Sequence, residues 1–170
     1  LLGQAIMVIV SSNTSLMVKQ GEAALGREAT DQDIEPVTRL LMDMSSSFNA
    51  EDYAKASSAN HMMGRVLGKF HEHYDLILAP TLSTPPVPTG FMDDDPMEGL
   101  TRFMADTGLY NQTGQPSISL PLTWSDDGLP IGMVFSAAFG NDALLLRVAG
   151  QLENERPWRA KRPPTHASVV

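Results

Sequence analysis

The sequence predicts an α/β fold in which a sheet is covered by helices. Three observations carry that prediction. A strongly signalled helix opens at Phe48-Asn49-Ala50-Glu51-Asp52-Tyr53, a short apolar run at 75–80 stops at proline, and two strand-like runs, 118–122 and 131–136, precede a last amphipathic helix. The order is helix, strand, hairpin, helix. At 170 residues and 42% hydrophobic content, the chain is long enough for one domain with a sizeable core, so 1–170 reads as a single domain.

Residues 3–20 carry two patterns. Ile6-Met7-Val8-Ile9-Val10 has strand propensity, whereas Ile6, Val10, Asn13 and Met17 share a helical face, and the helical reading is adopted. Next, Asp33 can cap a helix that takes Pro36 in its first turn, where a missing N–H costs little, with Val37, Leu40, Leu41 and Met44 apolar. Ser45-Ser46-Ser47 reads as an interhelical turn. The following helix is placed at 50–73: Asn49 caps it, Asp52 stands three residues on, Phe48 and Tyr53 hold the staple positions, and Tyr53, Ala56, Asn60, Met63, Leu67 and Phe70 form its stripe.

Asp75-Leu76-Ile77-Leu78-Ala79-Pro80 reads as a strand buried on both faces. Prolines 85, 86 and 88, Gly90 and Asp93-Asp94-Asp95-Pro96 make residues 81–97 a loop. The runs at 118–122 and 131–136 form a hairpin around Ser125-Asp126-Asp127-Gly128, and Pro121 argues for an edge or a strand end. Asn141-Asp142 opens the final helix, with Leu145, Val148 and Leu152 on one face, ending before Pro157.

Twelve basic and twenty acidic residues leave a formal charge of −8, and no Lys/Arg run exceeds a pair, which argues against a phosphate-tracking surface and a nucleic-acid partner. With no cysteine there is no disulfide framework and no thiolate metal site, a usage that fits a cytoplasmic protein without requiring one. The apolar run 5–10 is too short for a membrane span and lacks signal-peptide flanks. The chain opens at Leu1 inside an apolar segment, as expected of a fragment rather than a natural start.

Serine hydrolysis needs a nucleophile held by a base, and no G-x-S-x-G occurs. Ser57 and Ser58 lie mid-helix. His71 and His73 stand two apart, on opposite sides of a helix, so they read as a solvated helix end; His61 and His166 have no ligand pattern around them. Asp93-Asp94-Asp95 lacks the calcium-loop alternation. No metal is expected. Tyr110, Asn111, Thr113 and Gln115 have two readings. Asn111, Gly114 and Pro116 are turn formers leading into a strand, and the same stretch gathers phenol, amide and hydroxyl groups that could line a polar substrate cleft.

Several blocks in order resemble the C-terminal part of the amidase signature family: Glu35-Pro36-Val37-Thr38, Phe48 to Tyr53, Tyr74-Asp75-Leu76-Ile77-Leu78-Ala79-Pro80-Thr81, Asn111 to Pro121, Asp127-Gly128-Leu129-Pro130-Ile131-Gly132, and Leu144 to Ala149 with Glu153 and Pro157-Trp158. The resemblance spans about residues 30–160. It implies the C-terminal portion of an α/β/α layered fold with a mixed sheet covered by helices, in a domain this chain does not complete. It also implies hydrolysis of a small-molecule amide by Ser-cisSer-Lys acyl transfer without a cofactor, with a pocket wall at Tyr110, Asn111, Thr113 and Gln115. No position matches the family's nucleophilic Ser, cis-Ser or Lys, so no catalytic residue is carried over and the chain alone is expected to be inactive, to self-associate or to pair with the missing N-terminal half. A non-catalytic binding or assembly module from the same family is the alternative, and an amidotransferase subunit acting on charged tRNA ranks below both because of the acidic charge.

Overall fold

A computed structural model describes residues 2–104 and 107–163; His166 lies outside them. The chain divides into two compact units, Leu1–Lys69 with Leu82–Gly114, and Phe70–Thr81 with Gln115–Val170.

The first unit is helical: α1 (Leu2–Leu25), α2 (Pro36–Ser46), α3 (Ala50–Phe70), α4 (Phe91–Asp94), α5 (Pro96–Met104) and α6 (Gly108–Thr113). The helical reading of 3–20 holds. Although α1 has 24 residues, no described helix is long and apolar enough to cross a membrane. Ala5 and Val8 of α1 pack with Ala56 of α3, joined by Ile9, Phe48 and Ala59. Ser11 is fully buried on α1 and donates back to the Met7 carbonyl at 2.6 Å, which satisfies its hydroxyl without a partner from another element.

The start of α3 follows its sequence signal atom for atom. The Asn49 side-chain oxygen accepts from the Glu51 and Asp52 N–H groups at 2.8 and 3.1 Å, and Asp52 returns a carboxylate to the Asn49 N–H at 3.0 Å. Asn49→Ala should therefore destabilise the protein by about 1 kcal/mol, read as a lower urea midpoint with an unchanged slope. The helix stops three residues earlier than expected, at Phe70. The His73 and Tyr74 N–H groups both turn back to the Phe70 carbonyl, and the Phe70 and Tyr74 rings stack 4.7 Å apart, closing the end.

Asp33 does not cap α2. Glu35 holds the N-cap position without a side-chain bond, and Pro36 is at N1. Asp33 instead accepts from the Thr30 N–H and hydroxyl and from both Arg27 terminal nitrogens, at 2.7–2.9 Å. Hydrogen bonding from Arg27 is the main reason its carboxyl sits well below the usual carboxylate range, so this exposed clasp is lost only as pH falls far below that range.

The expected loop at 81–97 also needs correction, because its second half is helical. Gly90 takes φ 91 to open α4, and the Asp95 carboxylate accepts from the Glu98 N–H at 3.0 Å while Pro96 starts α5. Asp-Pro here is an N-cap followed by N1, not loop chemistry.

The second unit is a sheet with one helix: β1 (Leu76–Pro80), β2 (Ser117–Trp124), β3 (Pro130–Ala137) and α7 (Asp142–Glu155). The strand order is β1-β3-β2. Both ladders are antiparallel, so the parallel pairing implied by a mixed sheet does not occur between the described strands. β1 was expected to be buried on both faces. It is an edge strand among the described residues, and Leu78 is 56% exposed. The hairpin is as expected, with Gly128 at φ 80 and the Leu129 N–H donating to the Ser125 hydroxyl. Pro121 pairs opposite Gly132 on an edge, and the register slips between Pro121 and Thr123. One sheet face carries Leu120, Phe135 and Ala137, which bury Leu145 of α7; Val148, Leu152 and Trp158 pack around them.

Candidate functional site

In the first unit, Tyr110, Asn111 and Thr113 all lie on α6, so the expected turn leading into a strand is a short helix. Only its end is a turn. Gly114 takes φ 73 and its N–H returns to the Tyr110 carbonyl at 2.9 Å, the left-handed stop that glycine allows at low cost. Tyr110 and Thr113 are three apart and share a face; Tyr110 is buried, Thr113 is half-buried with its hydroxyl donating to the Leu109 carbonyl at 3.0 Å, and Asn111 is exposed.

Gln115 belongs to the second unit. Its side-chain amide donates to the Ala137 carbonyl at 3.2 Å, while the Pro116 carbonyl accepts from the Ala137 N–H at 3.2 Å and the Ser136 hydroxyl at 3.1 Å. Gln115 therefore helps tie the start of β2 to the end of β3. Of the four expected pocket residues, three share one helix and the fourth is engaged with the sheet.

Two features were missed by sequence reasoning. Gln112 is half-buried on α6, and its side-chain carbonyl oxygen is buried with no hydrogen-bond partner among the described residues. A buried acceptor in that condition calls for a donor from water or a ligand. The amide of Gln112 sits inside the quoted motif, so only its burial was hidden. The second feature is a pair of hydroxyls: Thr81 Oγ1 and Ser119 Oγ lie 2.6 Å apart although separated by 38 residues. They meet above Gly132, where an added Cβ would lie 2.8 Å from each oxygen. No local pattern could reveal this pair, since it is created by two ladders on either side of β3.

Neither hydroxyl bonds an imidazole, amine or carboxylate among the described residues, so neither has the base that an activated nucleophile needs. Among the described residues, no three His, Asp or Glu side chains are grouped as metal ligands. His71 Nδ1 is instead 2.9 Å from the Tyr74 carbonyl.

Comparison with known proteins is consistent with these elements in this order. A family model described as Amidase matches residues 5–146. The chain is 30% identical over 158 residues to a 6-aminohexanoate-cyclic-dimer hydrolase of Pseudomonas sp. (strain NK87), covering 86% of this chain and 32% of that protein. It is also 30% identical over 128 residues to an acylamidase of Rhodococcus erythropolis, covering 72% of this chain and 27% of the relative. Among solved structures, that of a 6-aminohexanoate cyclic dimer hydrolase superposes with a TM-score of 0.81 at 28% identity, over 92% of this chain and 35% of that one. The chain spans about a third of the length of such curated relatives.

Proposed function

Because the chain belongs to the amidase family, we propose that it forms the substrate-facing C-terminal part of an enzyme that hydrolyses the carbon–nitrogen bond of small carboxamides. In this reading 1–170 is part of one amidase-signature domain. The nucleophilic Ser, the bridging cis-Ser and the Lys base belong to a preceding stretch of polypeptide, with which this chain pairs. The observation that supports it most is the family match along residues 5–146 of a chain that covers only about a third of its relatives.

The proposed chemistry is acyl transfer. The Ser hydroxyl gives its proton through the cis-Ser to Lys and attacks the amide carbonyl, backbone N–H groups hold the developing oxyanion, ammonia or an amine leaves, and water then releases the acid and restores Ser. This route uses neither a metal nor a cofactor. Tyr110, Asn111, Thr113 and Gln115 are assigned to the substrate wall, and the buried carbonyl of Gln112 is added as an acceptor for an N–H donor.

The test is an amide assay with benzamide and hexanamide. The 170-residue chain alone should give no turnover, the longer polypeptide should hydrolyse both, and Asn111→Ala in that polypeptide should raise KM about tenfold with its fold retained. Clear turnover by the isolated chain would sink the assignment of the nucleophile to another segment. A non-catalytic assembly module of the same family is the second reading, favoured by the 56% exposed Leu78 on the edge strand and the 81% exposed Phe139. A longer polypeptide that associates with a partner but turns over no amide would select it.

A further inference from the structure

We propose that the second unit carries a binding site for small amphipathic carboxylates, in the cleft where Trp124, Trp158, Pro121 and Pro130 supply apolar walls and Lys161 supplies the charge. The cleft is half open to solvent and offers about 710 Å³, within the range of roughly 300–1,000 Å³ typical of small-ligand sites. Its lining is mainly apolar, includes Lys161 and Arg162, and contains no Asp or Glu among the described residues. That is a local reversal of sign in a chain of net charge −8. The reversal comes from the segment after α7, where Arg156, Arg159, Lys161 and Arg162 make up four of the twelve basic residues.

The cation is positioned without any ligand. Trp158 is anchored against the Leu120, Phe135 and Leu145 cluster, the Lys161 N–H donates to the Trp158 carbonyl at 2.9 Å, and the Lys161 ammonium stands 3.8 Å from the Trp124 ring centroid. A cation over an aromatic face keeps its full charge and can still direct N–H groups elsewhere. An incoming carboxylate then gains charge-assisted hydrogen bonds, its hydrocarbon body gains indole and proline surface, and little side-chain order remains to be lost. A polyanion such as nucleic acid fits less well, because the chain as a whole repels it and the cationic segment is short.

Trp124 and Trp158 are the only tryptophans of the chain and both line this cleft, so tryptophan emission, excited selectively over the three tyrosines, reports a ligand bound there. We would titrate the 170-residue chain with phenylacetate and hexanoate, and with phenylacetamide and hexanamide as uncharged counterparts. The carboxylates should give a saturable change, with the amides at least about tenfold weaker. Lys161→Met should weaken carboxylate binding by about tenfold without altering the amide response, and Lys161→Arg should retain binding. Equal affinity for acids and amides overturns the proposal, as does a Lys161→Met protein that has native circular dichroism and unchanged affinity, or a response that never saturates. Because the readout is binding rather than turnover, its outcome is separate from that of the amide assay.

Discussion

Leu145→Ala is expected to lower stability by about 2–5 kcal/mol, the range for removing a buried leucine from a packed core. Leu145 is 3% exposed and is the residue of α7 held in the cluster with Leu120, Phe135 and Ala137. Its neighbour Leu146 is 66% exposed on the same helix and provides the control: Leu146→Ala should stay within about 0.5 kcal/mol of the parent. Urea unfolding followed by tryptophan fluorescence reads both, since Trp158 packs on that cluster. Equal midpoints for the two variants would mean that α7 is not seated on the sheet as described.

Gly132→Ala should cost about 1–3 kcal/mol, although it adds a single methyl group. The new Cβ would stand 2.8 Å from Thr81 Oγ1 and Ser119 Oγ and 3.1 Å from Thr81 Cβ. Turning either hydroxyl away about χ1 relieves its 2.8 Å contact but breaks their 2.6 Å hydrogen bond, and the 3.1 Å contact with Thr81 Cβ remains because that rotation does not move the carbon. The cost has a defined remedy. Combining Gly132→Ala with Ser119→Gly and Thr81→Ala should recover part of the loss, whereas neither substitution in the parent should stabilise it. If the triple variant is no better than Gly132→Ala, the glycine is required for another reason.

What was legible in the sequence was what is local. The capping box of α3 needs only Asn49 and Asp52, and the hairpin needs only two strand-like runs and Gly128, so both were placed correctly. The α/β class and the family followed from several such blocks standing in order. Errors arose where one signal overlay another. Asp95-Pro96 was absorbed into an acidic, proline-rich stretch although it caps α5, and the turn-forming Asn111 and Gly114 hid a helix that only Gly114 ends. Asp33 had the right chemistry for a cap and spends it on Arg27 and Thr30.

The candidate site was legible to a lesser degree for the same reason. The grouping of Tyr110, Asn111 and Thr113 depends on one helix, and the sequence could nominate them as neighbours. Gln115 is only two residues further along, but its amide is committed to the Ala137 carbonyl, a partner 22 residues away. The Thr81–Ser119 pair and the buried Gln112 oxygen exist only once strands and helices are assembled. Position in the chain predicted proximity, and the fold decided which groups were left available.

Both borders of the described sheet carry the same obstacle to an added strand. β2 presents Pro121, which has no N–H to offer, and the register slip beside it disturbs the ladder, so an incoming strand finds no regular row of donors and acceptors there. β1 has Leu78 exposed on its outer border, but Pro80 closes that strand and likewise has no N–H. A fibre must add a copy at each end of every sheet, whereas among the described strands each border breaks its row of donors at a proline.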